Sequence, residues 1–265
     1  MRSAIAAICL VPLSFCVPAF AKGNLTNELS EAVARFRTSY QAWDCSGFAE
    51  TIKLLDGIAA RCPGVFDVSY WSAVTRFHLV LHVVNEGCAL GAPDTDELMD
   101  AVVASLDCAL SVRPGSAECH AMLSAIHGMR IGGAKHRALT LGPKVLRHRK
   151  KALEARPETP RAYYLLGTSS FHGPRLLGGK KKSLALFRRA CTLYEQERRH
   201  AQDLPALAPR WGYSSCLTFM AMACRDLDRI DEARQFCKKA LSVNPSEARA
   251  RGLLAELGKH NGGEQ

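Results

Sequence analysis

Residues 214–247, SSCLTFMAMACRDLDRIDEARQFCKKALSVNPSE, contain the clearest fold signal in the chain. Apolar and small residues recur there three and four positions apart, a spacing that places them on one face of a helix. A polar segment, DLDRID, separates the two halves. The stretch therefore predicts two packed helices joined by a turn. The predicted packing positions are Leu217, Met220, Ala221 and Cys224 in the first helix and Ala233, Cys237 and Ala240 in the second.

The end of this stretch recurs along the chain. CALSVRP at 108–114, KALEARP at 151–157 and KALSVNP at 239–245 share the pattern A-L-x-x-x-P, and GIAARCP at 57–63 is a fainter copy. Proline lacks the backbone N–H that a continuing helix needs, so each phrase predicts a helix end. The phrases and the 34-residue stretch together resemble the tetratricopeptide (TPR) repeat, a helix–turn–helix unit. Cys224 and Cys237 replace aromatic residues of that pattern, and Leu217 replaces its tryptophan.

This resemblance implies an all-α, TPR-like right-handed superhelix of antiparallel helical hairpins over residues 22–265. No segment alternates apolar and polar residues as a strand would. Insertions at residues 131–143 and 172–179 are expected to lengthen two of the turns, and residues 195–212 to connect the last two units. The hairpins are predicted at residues 24–63, 66–114, 117–157, 160–197 and 211–247, with a capping helix at 247–259.

The N-terminus predicts export. Arg2 is followed by a long apolar stretch and by Ala19-Phe20-Ala21, which reads as a cleavage site. Residues 1–21 are therefore interpreted as a signal peptide, which makes the mature protein periplasmic if its source is Gram-negative. No other apolar run is long enough to span a membrane.

Positive charge is concentrated in the middle of the chain. The net charge is +10, and residues 130–199 contain eighteen Lys and Arg against four acidic residues. Such a bias favours acidic partners, while export argues against nucleic acid.

The segment HGPRLLGGKKKSLALFRRA, residues 172–190, poses a separate question. It looks like a phosphate-binding loop, but such a loop follows a buried strand, and the preceding RAYYLLGTSSF predicts a helix. Together with PRWGYSSCL it resembles a group of exported bacterial TPR proteins that includes the TPR components of TRAP-type carboxylate transporters. An anion site at a cationic helix start and a solvated turn are the two readings. The anion-site residues would be Arg175, Gly178, Gly179, Lys180, Lys181 and Lys182.

Metal and catalytic motifs are weak. His78, His82 and Glu86 lie four residues apart on one predicted helix, a spacing that can bring two imidazoles to one metal. Since no further ligand is identifiable, no metal or other cofactor is expected. The chain contains no G-x-S-x-G motif, so no enzymatic activity is expected.

Nine of the eleven cysteines follow the predicted signal peptide, and export permits disulfides. Cys108 and Cys119 flank one predicted turn nearly symmetrically, and Cys216 and Cys237 flank another. Each pair is either a disulfide or two small core residues.

The leading functional hypothesis is a non-catalytic exported scaffold that binds a protein or peptide partner in its concave groove. The alternative is periplasmic binding of a small anionic solute, such as a carboxylate, for a transporter. The predicted groove residues are Tyr70, Arg76, Arg161, Tyr164, Ser170, Tyr213 and Thr218.

Overall fold

Helices account for nearly all of the chain that the structure describes. The structure, a computed structural model, describes residues 19–87, 94–132, 134–155, 157–173 and 179–259. The predicted signal peptide therefore falls almost entirely outside the described residues. The helices of the described part are α1 (Ala19–Ala42), α2 (Cys45–Arg61), α3 (Phe66–Glu86), α4 (Thr95–Val112), α5 (Ala117–Ile131), α6 (Lys135–Glu154), α7 (Pro160–His172), α8 (Gly179–Arg199), α9 (Tyr213–Arg225), α10 (Ile230–Val243) and α11 (Ala248–Lys259).

Local sequence sets several of the helix starts. The Asp44 carboxylate accepts hydrogen bonds from the backbone N–H groups of Ser46 and Gly47 at the start of α2. Ser116 caps α5 in the same way through the Cys119 N–H. These side chains satisfy donors that have no partner inside the helix. Pro160 opens α7, a position where its missing N–H costs nothing.

The helices pair into antiparallel hairpins that stack into a superhelix. α1 packs on α2, α3 on α4, α5 on α6, α7 on α8, and α9 on α10. Most hairpins join the next one through their second helix, as α2 does with α3 and α8 with α9. The third and fourth hairpins differ, because α5 itself packs directly against α7. Among the described residues, no helix is both long enough and apolar enough to cross a membrane.

Helix α6 begins earlier than the sequence predicts. The insertion at residues 131–143 was expected to separate two helices, but α6 already begins at Lys135 and contains Pro143. An internal proline removes one backbone hydrogen bond and can bend a helix without ending it. The residues before it include Ala138, Leu139 and Leu141, which favour helix.

Small residues allow the helices of a hairpin to approach closely. A β-carbon added at Gly167 of α7 would lie 2.4 Å from Cε1 of Phe187, which is fully buried on α8. Glycine is therefore required here by the packing of a neighbouring ring. Gly167 thus fills the small packing position on the first helix of this TPR-like hairpin, and Phe187 fills the bulky position on the second helix.

We expect Gly167→Ala to lower the free energy of unfolding by about 1–3 kcal/mol, because the methyl group must displace the Phe187 ring. The matched control is Gly57→Ala on α2, where an added β-carbon meets no atom within 4 Å. That change should raise the free energy of unfolding by about 0.5–1 kcal/mol through backbone entropy. Urea denaturation measures both, and equal effects of the two substitutions would contradict the packing argument.

Candidate binding cleft

The residues predicted to line an open groove lie mainly in the interior. Arg76 is half-buried and forms an ion pair with Asp56 of α2. The other six side chains are at most 7% exposed, so they belong to the core instead of an open surface. The expectation of an open groove lined by these residues is corrected accordingly. The six are Tyr70, Arg161, Tyr164, Ser170, Tyr213 and Thr218.

The physical reason is a loop that fills the concave side. This inner loop, residues 200–212, connects α8 to α9 and contacts helices from several hairpins. Arg37 of α1 donates to the carbonyls of Ala206 and Ala208, at 2.7 and 3.0 Å. Trp211 is 1% exposed, and its ring centroid lies 5.0 Å from that of His78 on α3. The sequence signal was a tryptophan in a long connection that contains two prolines and several apolar residues.

Gly212 fixes the end of the inner loop. Its φ angle is +97°, a left-handed conformation that glycine adopts without strain. Its N–H donates to the Tyr40 hydroxyl at 2.9 Å, and an added β-carbon would lie 2.3 Å from the Tyr194 hydroxyl oxygen. The chain can therefore pass between α1 and α8 only with glycine at this position.

A cleft of about 850 Å³ remains open at one rim of the superhelix. It lies where the first turn of α3, the turn between α4 and α5, and the inner loop meet. Its walls are mainly apolar, with a few polar side chains, a composition typical of ligand sites. The lining residues used below are Phe66, Tyr70, Arg113, Glu118, Thr159 and Leu207.

A buried ion network forms the inner wall of this cleft. Glu118, at the start of α5, accepts hydrogen bonds from the Tyr70 hydroxyl, from Thr159 Oγ1 at 2.8 Å and from Arg161 Nε at 3.3 Å. Arg161 also holds both carboxylate oxygens of Glu197 on α8, at 3.0 and 2.6 Å. The network joins α3, α5, α7 and α8.

The charges in this network stabilise one another. Burial alone would lower the pKa of Arg161, but the carboxylates of Glu118 and Glu197 outweigh it and raise that pKa. Burial and the Glu118 charge raise the pKa of the Tyr70 hydroxyl, which also accepts a hydrogen bond from Trp211 Nε1 at 3.3 Å. Each of these groups is paired, so the network orders the cleft wall and leaves no free acid or base.

The outer part of the cleft presents an aromatic–cation pair. The Arg113 guanidinium lies 3.9 Å from the centroid of the half-buried Phe66 ring. Such stacking holds a cation over an aromatic face while leaving its N–H groups able to donate. Leu207 of the inner loop also lines the cleft. The cleft can therefore hold an apolar group and offer hydrogen bonds at its edge.

The predicted anion-site residues are not brought together in the described structure. Lys180 lies 3.0 Å from an Asp226 carboxylate oxygen and 3.1 Å from the Phe171 ring centroid. Its ammonium group is therefore already paired within the protein. Lys181 and Lys182 are exposed to solvent, and Gly179 begins α8. Arg175 and Gly178 lie outside the described residues.

The weak metal candidates have structural partners. His78 is buried among aromatic rings, and its Nδ1 donates to the Val74 carbonyl at 2.8 Å. Burial lowers its pKa to about 4. His82 instead hydrogen-bonds the Trp43 carbonyl and lies 3.8 Å from Glu86. Within the described residues, no group of three or more His, Cys, Asp or Glu side chains is arranged to hold a metal.

A histidine cluster between α5 and α6 consists of His120, His127 and His148, all at most 7% exposed. His120 Nε2 donates to the Pro114 carbonyl at 3.0 Å, so its Nδ1 accepts from His148 Nδ1 at 3.1 Å. His127 Nδ1 has no hydrogen-bond partner. Burial first, then the neighbouring cationic groups, lowers the pKa of His127 and of His148 to about 4.

Neither cysteine pair considered in the sequence forms a disulfide, because Cys108, Cys119, Cys216 and Cys237 all have free thiols. Cys119, Cys216 and Cys237 are buried, as the packing alternative expects, whereas Cys108 is exposed. Cys216 approaches a different cysteine, with its sulfur 3.7 Å from that of Cys191. The prediction used only the distance of each cysteine from the turn along the sequence. It ignored the direction in which each side chain points around its helix axis.

Comparison with known proteins supports the fold. No protein-family model matches the chain, and no curated protein matches it. The structure is similar to TTC0263, a thermophilic TPR protein of Thermus thermophilus, at 17% identity and a TM-score of 0.58, covering 85% of this chain and 98% of that one. It is also similar to the HusA haemophore of Porphyromonas gingivalis, at 23% identity and a TM-score of 0.60, covering 76% and 94%. The predicted fold class, an all-α TPR-like superhelix, is confirmed.

We expect Arg161→Leu to lower the free energy of unfolding by about 3–5 kcal/mol, because it leaves the Glu118 charge buried without its cation. Glu118→Gln should cost less, since Arg161 keeps the bidentate pair with Glu197. An exposed control, Arg35→Leu, breaks the surface pair with Glu31 and should change stability by less than about 1 kcal/mol. Chemical denaturation measures the free energy of unfolding of the three variants. A loss for Arg161→Leu no larger than the loss for Arg35→Leu would refute the role of the network.

We expect stability to fall as the pH drops from about 6.5 towards 4. An unfolded histidine binds a proton near pH 6.5, whereas folded His127 and His148 resist protonation until about pH 4. The unfolded state therefore binds more protons in this window, at a cost of about 1–3 kcal/mol per histidine. His127→Leu should flatten the pH dependence of the unfolding free energy, while the exposed His136→Leu should leave it unchanged. Equal slopes in the two variants would contradict this.

Proposed function

We propose that this protein is a non-catalytic helical-repeat scaffold that binds an apolar segment of a partner protein or peptide in the rim cleft. The observation that carries the proposal is the size and lining of the cleft, about 850 Å³ with mainly apolar walls. Repeat proteins of this kind bind partners on surfaces built from several units. This cleft is built in that way, from α3, the α4–α5 turn and the inner loop.

The cleft replaces the concave groove as the proposed site because the inner loop occupies the groove. Trp211 and the hydrogen bonds from Arg37 hold that loop in place. A partner at the concave side would have to displace buried contacts. At the rim, Phe66 and Leu207 are already partly accessible to solvent.

The lining favours an apolar segment with a hydrogen-bonding edge. Phe66 and Leu207 provide apolar contact, and Arg113 offers donors to a backbone carbonyl or a carboxylate. The paired state of Glu118 and Arg161 argues against catalysis by these groups, since neither is available to transfer a proton.

Small ligands fit the rim cleft less well than an apolar peptide segment does. The HusA structure is titled a haemophore, but none of the described residues lining this cleft is histidine, cysteine or methionine, and the Tyr70 hydroxyl is already bonded to Glu118. A small anionic solute would have Arg113 at the cleft edge as its cation, since the buried Arg161 is neutralised by two carboxylates. A haem or dicarboxylate that raised the melting temperature, with a stabilisation that grows as RT ln(1 + [L]/Kd), would favour this second class.

We also propose that the protein is exported. The N-terminal sequence pattern supports cleavage after Ala21. Mass spectrometry of the protein expressed with its full N-terminus in a Gram-negative host should give a mature chain that begins at Lys22. An intact N-terminus in the cytosolic fraction would contradict export.

The cleft proposal is tested by site-specific photocrosslinking in intact source cells. A photoreactive residue in place of Ala206, which is exposed on the inner loop at the cleft, should capture a partner protein identified by mass spectrometry. Leu207→Glu in the same chain should abolish the crosslink, because a carboxylate would be buried against the apolar segment.

The control places the photoreactive residue at Lys53, which is exposed on α2 and does not line the cleft. It should not capture the same partner. Capture at both positions, or capture at Ala206 that survives Leu207→Glu, would show that the cleft is not the binding site.

A further inference from the structure

Helix α6 exposes a stripe of three leucines. Leu139, Leu146 and Leu153 are 81%, 48% and 40% exposed, and their side chains recur every seven residues. Residues seven apart lie almost above one another on a helix, so the stripe runs straight for about 21 Å along α6. These residues make up half of the large apolar side chains that are exposed in the described structure.

The stripe has no partner within the described chain. α6 packs mainly against α5, through the buried side chains Val145, His148 and Ala152. The following first helix, α7, packs on α5 instead of α6. The outer face of α6 is therefore open, whereas the other second helices also support the hairpin that follows them.

Basic side chains border the leucines. α6 contains seven Lys and Arg and a single acid, Glu154, which pairs with Lys150 at 3.6 Å. At 3.6 residues per turn, Arg147 and Lys150 lie beside Leu146 on the helix surface, and both are exposed. Arg147 has no carboxylate partner among the described residues. A cationic border around an apolar stripe is complementary to an acidic border around another one.

We propose that the outer face of α6 is a docking surface for an acidic amphipathic helix of a partner protein. Leucines that recur every seven residues fill one of the two apolar positions of a helix–helix seam, and charges beside such a seam select the partner. This surface is separate from the rim cleft and does not depend on the function proposed for it.

Two other occupants fit less well. A second copy of α6 would bring Arg147 and Lys150 against like charges, which disfavours association. A membrane-surface helix buries a broad apolar face, but this stripe is one leucine wide and borders directly on Arg147. An acidic helix satisfies both the apolar and the charged parts of the surface.

The test uses the full protein and a synthetic helical peptide with leucine or isoleucine at heptad positions a and d and glutamate at e and g. Fluorescence anisotropy should show saturable binding that weakens as NaCl is added. Leu146→Ser, at an exposed position, should weaken it at least about ten-fold without changing the melting temperature, and Arg147→Glu with Lys150→Glu should do the same.

Three controls separate this surface from the general positive charge of the protein. A peptide of the same composition without the heptad order should bind weakly. Lys181→Glu with Lys182→Glu, a matched charge reversal on α8, and Leu54→Ser, an exposed apolar position on α2, should leave affinity within about two-fold.

Binding that ignores Leu146→Ser, or that falls equally with the α8 charge reversal, would overturn the proposal. So would a peptide that does not bind. Leu146-dependent dimerisation in light scattering would reassign the face to a second copy. Leu146-dependent binding to phosphatidylglycerol vesicles without peptide binding would reassign it to a lipid surface.

Discussion

The pairing of Arg161 with Glu118 and Glu197 is the interaction on which the interior of this protein depends. An isolated charge so deeply buried would be expensive, and each of the three ions is compensated by another. Because the partners come from α5, α7 and α8, the pairing fixes the angle between the third and fourth hairpins. Tyr70 extends the network to α3 and, through Trp211, to the inner loop. A single polar centre thus holds together elements that are far apart in sequence.

This centre explains why the superhelix has no open groove. The inner loop brings Trp211 to the ring of His78 and to the Tyr70 hydroxyl, and Gly212 lets the chain turn between Tyr40 and Tyr194. The concave side consequently becomes core, and access is left at the rim, beside Phe66 and Leu207. Within the described residues, the two surfaces proposed for binding are the rim cleft and the outer face of α6, which α7 leaves uncovered.

The repeat pattern was sufficient to predict the class of fold. Proline-terminated A-L-x-x-x-P phrases mark helix ends through local sterics, and the periodicity of Leu217, Met220 and Cys224 marks a helix face. The start of α6 was harder to predict, because Pro143 and the glycines before it indicate a helix break by propensity alone. The candidate site was not predicted. Residues such as Arg161 and Tyr164 were assigned to the groove surface from their helix positions, and the inner loop that buries them has no periodicity to reveal it.

The sequence by itself determined the helices, their pairing into hairpins and the basic character of the middle third. These are local properties, set by backbone propensity, capping and the spacing of apolar residues within a few turns. Only the tertiary structure decided which charged side chains form ion pairs and which remain exposed to solvent. Lys180 and Arg161 are both cations of one basic segment of the sequence. In the structure Lys180 pairs with Asp226, Arg161 pairs with one buried and one half-buried carboxylate, and Arg147 remains at the surface. Those partners lie 36 to 46 residues away along the chain. Tertiary packing decides which of them meet, and no local sequence pattern records it.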